Sequence, residues 1–379
     1  MELSLFYATN RRHVGNDQWH PTGYGTTFSL DGLENLRFGK LTLDADDATI
    51  AACLGEVICG GKGDGEKLSE HLASCARKAR IEAYLESIPD RELSERDQHK
   101  VVLGSQAMFD DIQQTMAEST DVVIYIHGFN VSWQNAVGSA VALQVMLNAT
   151  AERERDASQK VAVVLFSWPS DGKALPFVSY KSDRTEAKTS GYAFGRGILK
   201  LRDFLMKLKK NGPLCGQDIH LLCHSMGNFV LQSALQRLAE FSPGTVMPKM
   251  FDQVFLCAPD VDDDVLELGK PMVRLPEVAN CITIYHNRGD KAMYVSDYTK
   301  GNPERLGTNG AAHPTLLHNK INQVDCTPVV TAGFVEHSYY IDGLVNADIR
   351  LSTDGCAPGD PRRKRRLMGS QPNVWQMTS

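Results

Sequence analysis

Short apolar runs alternate with helix-length segments along most of this chain, and that alternation restricts the fold more than any other feature. Runs fall at Leu3–Ala8, within Thr26–Leu43, and at 121–127, Val161–Ser167, 219–224, Gln253–Cys257, 281–286 and 329–335. The later runs are nearly continuous in apolar residues, as strands buried on both faces are. The pattern predicts an α/β protein with about eight strands in a mostly parallel sheet and helices on both faces. The segment 44–120 breaks the alternation. Its Glu66–Ser87 and Ser105–Glu118 stretches read as helices flanking the charged, proline-containing Ile88–Lys100. A helical insertion is expected there, ahead of the strand at 121, either as a cap over the site or against a distant edge.

One run ends abruptly. Ile219-His220-Leu221-Leu222-Cys223-His224 gives way to Ser225-Met226-Gly227-Asn228, and helical periodicity resumes at once through Leu235. A serine on so sharp a strand-to-helix corner holds its hydroxyl above the sheet edge, with the N–H groups of the helix start beneath it. The pentapeptide Cys223-His224-Ser225-Met226-Gly227 departs from Gly-x-Ser-x-Gly at its first position. Strand and helix pack closely at such a corner, so small side chains are needed on either side, and cysteine is small enough. Ser225 is the candidate nucleophile. An ordinary buried turn serine is the competing reading, and the remaining motifs decide between them.

Upstream, Tyr125-Ile126-His127-Gly128-Phe129-Asn130 ends another buried run. In acyl-transfer hydrolases of this layout, the loop after such a strand supplies one backbone N–H to the oxyanion hole, and the residue after the nucleophile supplies the other. Here these are Phe129, or its neighbour Asn130, and Met226. His127 in its His-Gly turn is read as bonding loop backbone rather than as base or metal ligand. Downstream, Asp290 follows the strand run 281–286, and His337 follows the run 329–335. The order serine, acid, histidine suits a relay in which His337 takes the serine proton and Asp290 fixes the imidazole tautomer. Asp260, directly after Gln253–Cys257, is the alternative acid.

With these pieces assembled, the chain resembles the α/β-hydrolase superfamily, and within it a bacterial esterase- or lipase-like branch first defined as a domain of unknown function. The matching motifs are Phe6-Tyr7-Ala8-Thr9-Asn10-Arg11, Tyr125–Asn130, Phe166-Ser167-Trp168-Pro169-Ser170, Tyr180 with Asp183, His224–Asn228, Ala258-Pro259-Asp260, Asp290 and His337-Ser338-Tyr339-Tyr340. The resemblance covers residues 1–350 and implies the α/β-hydrolase fold and a serine mechanism, without implying a substrate. The expected reaction is hydrolysis of small-molecule carboxylic esters with short to medium acyl chains, through an acyl-enzyme, with no metal or organic cofactor. Asn130, Trp168, Tyr180 and His224 are expected at the substrate pocket, with Phe177 and Tyr192 nearby. The same residues would also serve thioester, amide or lipid-ester cleavage, or acyl transfer. A non-catalytic binding protein on the same fold is the remaining class, against which the complete serine–acid–histidine order argues.

Charge balance is mildly acidic, 40 basic against 46 acidic residues, so general affinity for nucleic acid is not expected. No apolar window approaches the ~18 residues of a membrane span, and no basic leader opens the chain, so a cytoplasmic location is expected. The nine cysteines show no metal-type spacing and are read as reduced. Gly60-Gly61-Lys62-Gly63-Asp64-Gly65 lacks phosphate-loop spacing and is read as a plain loop. Residues 351–379, with the run Pro361-Arg362-Arg363-Lys364-Arg365-Arg366, are expected to form a basic, flexible tail. Nothing in the sequence bears on oligomeric state.

Overall fold

The structure, a computed structural model, describes residues 1–55, 63–87, 101–116, 121–151, 160–170, 176–211, 218–241, 244, 246–293, 304–330 and 335–379. Its centre is an 11-stranded sheet in the order β12-β13-β11-β10-β9-β8-β6-β7-β1-β4-β5. The parallel body consists of β1 (Glu2–Thr9), β6 (Asp121–Ile126), β7 (Val161–Ser167), β8 (Asp218–His224), β9 (Phe251–Cys257), β10 (Ala279–His286), β11 (Ile321–Asp325) and β13 (Val374–Met377). Antiparallel strands finish both edges: β4 (Arg37–Asp44) and β5 (Arg80–Ala83) at one, β12 (Arg365–Leu367) at the other. A small hairpin of β2 (Arg11–Val14) and β3 (Gly23–Phe28) stands apart. The expected architecture, a mostly parallel sheet covered on both faces, is the one found.

Two apolar cores follow from the continuous strand runs. On one face α3 (Gly104–Met116), α5 (Pro176–Asn211) and α6 (Gly227–Phe241) cover Phe166, Leu221, Cys223 and Leu256. On the other, α1 (Asp47–Leu54), α2 (Gly65–Ala76), α4 (Trp133–Ala151) and the helix Gly343–Thr353 cover Tyr125, Leu165, Leu222 and Phe255. Between β6 and β8 the chain reverses its direction of travel across the sheet. In open parallel sheets the crevice above such a reversal, at the carboxyl ends of the strands, is where ligands bind. Ser225 and the 127–131 loop both emerge there.

Three local expectations are corrected. The stretch Glu66–Ser87 is not one helix: α2 ends at Ala76 and Arg80–Ala83 runs as an edge strand beside β4. The insertion is therefore part of the sheet as well as helical. Of the run at 329–335, the described residues Val329, Val330 and Val335 are not in a strand. The strand in that place is β11, and His337 rides on a short 3-10 turn, Val335–Ser338; residues 331–334 lie outside the described set. The tail is not loose, since β13 pairs with β11 in register Gln323↔Val374 and β12 closes the edge.

Two arginines of the basic run, Arg363 and Arg365, fold inward because they have a buried partner. Arg363 Nε and Nη2 donate to the Asp348 carboxylate at 2.6 and 3.1 Å, and Arg365 Nη1 stands 3.6 Å from it. Arg363 and Asp348 are 2% and 1% exposed, so neither charge has water to fall back on. Removing one partner of such a pair leaves the other buried and costs about 3–5 kcal/mol. Arg363→Met is therefore expected to lower the melting temperature markedly, whereas Arg366→Met, an exposed neighbour, should barely move it.

Among the described residues no helix is long and apolar enough to cross a membrane, and their cysteines are all free. Gly60–Lys62 and Cys59 lie outside the described residues.

Candidate active site

β8 delivers the chain into a strained corner. Ser225 has φ +52°, a left-handed backbone that costs a non-glycine residue about 1–3 kcal/mol unless its surroundings enforce it. Here they do. The Ser225 N–H donates to the Cys257 carbonyl at 2.9 Å, at the end of the neighbouring strand. The Ser225 carbonyl accepts from the backbone N–H groups of Asn228 at 3.0 Å and Asp260 at 3.2 Å. The buried Asn228 amide bonds the same carbonyl and that of Cys223, each at 3.0 Å. Close approach explains the glycines around it. A Cβ at Gly227 would stand 2.6 Å from the Ile126 carbonyl oxygen, and one at Gly128 would stand 2.8 Å from the Ser225 Cβ. β6 and the Ser225 corner therefore fit together only without side chains at those two positions.

The loop after β6 is clamped from two directions. His127 is fully buried and stacks on Trp168 with ring centroids 5.3 Å apart. The Trp168 backbone N–H donates to His127 Nε2 at 3.2 Å, so the ring proton is on Nδ1, which donates to the Gly128 carbonyl at 2.9 Å. Burial, with the Arg11 guanidinium beside it, pushes His127 down to about 3, and the ring stays neutral. Arg11 is itself sealed in the core. It donates to Ser167 Oγ at 2.9 Å, the Gly25 carbonyl at 3.0 Å and the Val131 carbonyl at 2.8 Å. Burial lowers its pKa to about 9. From the opposite side, Asp183 on α5 accepts the Asn130 N–H at 3.3 Å and the Ser170 hydroxyl at 2.6 Å, while Ser170 Oγ accepts the Val131 N–H at 3.2 Å. The Asn130 N–H is thus directed to Asp183, leaving Phe129 as the residue of that loop to consider for the oxyanion.

The histidine and the first-choice acid meet. His337 Nδ1 lies 2.6 Å from Asp290 Oδ2. Asp290 is fully buried, and its other oxygen accepts the Ala292 N–H at 3.0 Å. An ionised carboxylate only accepts, so His337 carries its proton on Nδ1 and presents an unprotonated Nε2 when neutral. The rival acid is committed elsewhere. Asp260 accepts the Tyr180 hydroxyl at 2.8 Å and stands 3.4 Å from Arg305 Nε.

The expected pocket residues divide. Trp168 is fully buried, and its indole N–H donates to the His127 carbonyl at 3.0 Å, which makes it core rather than pocket wall. His224 also turns inward. Its ring lies 4.6 Å from that of His337 and 4.7 Å from Tyr340, and its Nε2–H donates to the His337 carbonyl at 3.1 Å. Burial and the neighbouring His337 hold its pKa well below the usual imidazole range. Tyr180 is buried, and its ring packs edge-on against the half-buried Phe129 with centroids 5.7 Å apart. Asn130 is exposed with φ +59°, while Met226 is fully buried at the start of α6. Tyr192 faces Arg237 of α6 instead of the site, and the Phe177 side chain lies outside the described residues.

Sequence reading assigned no role to Arg11, Ser170, Asp183 or Tyr339, although each stands in a motif that carried the resemblance. The available signal was a charged or hydroxyl residue next to an apolar strand run, as in Phe166-Ser167-Trp168-Pro169-Ser170. Among the described residues no group of three or more histidine, cysteine or carboxylate side chains forms a metal-binding cluster.

Residues 105–349, more than half of the chain, match the family described as "Alpha/beta hydrolase of unknown function" (DUF900). A curated relative, an uncharacterized protein of Nostoc sp. (strain PCC 7120), is 27% identical over 174 residues. The match covers 37% of this chain and 42% of that protein, so the chain spans less than half the length of that relative. The chain belongs to this family of α/β hydrolases of unknown function.

Proposed function

We propose that the protein is a serine hydrolase of carboxylic esters, with Ser225 as nucleophile, His337 as general base and Asp290 as the acid that orients it. The observation that carries the reading is the 2.6 Å contact between His337 Nδ1 and the buried Asp290, on a histidine whose ring abuts that of the residue preceding Ser225. His337 Nε2 takes the serine proton as Oγ attacks the ester carbonyl, then returns it to the departing alkoxide. Water repeats the sequence on the acyl-enzyme.

Charge on the tetrahedral oxygen is received by the N–H groups of Phe129 and Met226. A trans peptide points its C=O and N–H in opposite directions. His127 holds the Gly128 carbonyl, so it also sets the direction of the Phe129 N–H. Arg11, Asp183 and Ser170 fix the residues that follow, so the donor is in position before charge develops, which is the condition for a large electrostatic contribution. The half-buried Phe129, backed by the buried Tyr180, offers an apolar wall for an acyl group. The chemistry asks for no metal or organic cofactor.

A series of chromogenic esters from acetyl to palmitoyl, run on wild type and Ser225→Ala in parallel, tests the reading. Turnover is expected to be best with short to medium acyl chains and unaffected by EDTA. Hydrolysis abolished by chelation and restored by zinc would remove the serine mechanism. Ser225-dependent turnover of thioesters or amides in preference to esters would keep the mechanism and change the substrate class.

A further inference from the structure

The acid and the base reach the site on separate pieces of chain, and a 2.6 Å contact survives only if both pieces share a mount. Asp290 follows β10, through a turn in which the Asp290 N–H donates to the Asn287 carbonyl at 3.2 Å. His337 sits on the Val335–Ser338 turn. Directly behind that turn, the Tyr339 hydroxyl donates to the Tyr285 carbonyl at 2.9 Å. Tyr285 belongs to β10, the strand that leads to Asp290. One hydrogen bond therefore joins the histidine turn to the acid's own strand. Both tyrosines are buried, at 4% and 0% exposed, and burial pushes the Tyr339 phenol well above its ordinary range, so it remains a donor throughout the working pH.

The joint is anchored at its far end. The Tyr285 hydroxyl donates to Asp348 at 2.6 Å, and Asp348 is the carboxylate held by Arg363. The Tyr285 carbonyl also accepts the Ala258 N–H at 3.0 Å. The C-terminal segment, β10 and the histidine turn thus converge on one residue.

We propose that Tyr339 is a positioning residue: its hydroxyl ties the turn bearing His337 to the strand bearing Asp290, so that base and acid are held on one frame anchored to the C-terminal segment. This inference rests on the serine-hydrolase reading. Tyr339 touches neither the substrate nor the reacting atoms, and it acts through the alignment of His337 with Asp290. Displacement of a catalytic group by about 1 Å can cost about 100-fold in rate. Loss of this one tether, with the flanking contacts of His224 and Tyr340 still made, is expected to cost about tenfold in kcat, with KM unchanged.

The test is a double-mutant cycle on the full chain, with rates taken per folded molecule well below the melting midpoint. Tyr339→Phe, Asp290→Asn and the double variant are compared with wild type on the best chromogenic ester. If Tyr339 works by holding His337 against Asp290, its loss matters little once that pairing is already broken. Tyr339→Phe should then lower kcat about tenfold in wild type but no more than about twofold in the Asp290→Asn background. Tyr339→Met, which fills the same space with a flexible apolar chain, serves if the phenylalanine variant does not fold. Tyr84→Phe controls for general loosening, because it removes another tyrosine hydrogen bond, the 2.5 Å contact with Asp111 beside the edge strand β5. It should keep wild-type kcat. A kcat within twofold of wild type for Tyr339→Phe, or an equal loss in both backgrounds, overturns the inference and leaves the hydrolase reading intact. Wild-type turnover that does not depend on Ser225 overturns both.

Discussion

Replacing Ser225 with alanine is expected to abolish ester turnover, by at least about a thousandfold in kcat, while the protein stays folded. The reason for the first half is chemical. On the proposed mechanism, loss of the hydroxyl removes the acyl-enzyme, and the oxyanion donors alone would leave only residual catalysis. The second half follows from the corner itself. Its geometry is fixed by backbone bonds to Cys257, Asn228 and Asp260, none of which uses the serine hydroxyl. Alanine keeps the left-handed strain and loses little else, so circular dichroism and the melting curve should match wild type. Turnover retained in this variant would remove Ser225 from the reaction.

The second large effect separates two carboxylates that the sequence left open. Asp290→Asn is expected to lower kcat by about 100- to 10,000-fold, because the amide no longer enforces a proton on His337 Nδ1 and the base can adopt the wrong tautomer. Asp260→Asn should cost much less in kcat and more in stability. Its carboxylate is spent on the Tyr180 hydroxyl and on Arg305, a fully buried cation that would lose a neighbour. Steady-state kinetics with melting curves on both variants decide the matter. A greater loss of kcat at Asp260 would mean that the acid follows β9.

Much of this was legible in the residues, because the signals were local. The strand-to-helix corner at Ser225, the His-Gly turn and the placing of Asp290 after β10 are each written within about ten consecutive residues, where period and turn chemistry act directly. What failed to show depended on distant partners. β11 contains Asn322, Gln323 and Asp325, and does not look like a buried strand. Its polar side chains are satisfied from elsewhere, Asn322 by the Trp375 indole at 3.1 Å and Gln323 by the Ala311 N–H at 2.8 Å. The apolar Val329-Val330 nearby was the more visible and the wrong choice. The arginine run read as solvated for the same reason, since the carboxylate that draws it inward lies on another helix. Trp168 read as a pocket aromatic because nothing local announces that His127 will take both its ring face and its indole N–H.

The most direct test of the central claim is covalent labelling with a fluorophosphonate, followed by peptide mapping. The reagent reacts at an appreciable rate only with a serine whose proton is taken by a neighbouring base beside oxyanion donors. The account predicts one adduct per chain, on Ser225, formed much more slowly in Asp290→Asn and absent in Ser225→Ala. An unlabelled Ser225 in folded protein, or an adduct on a different residue, would contradict it.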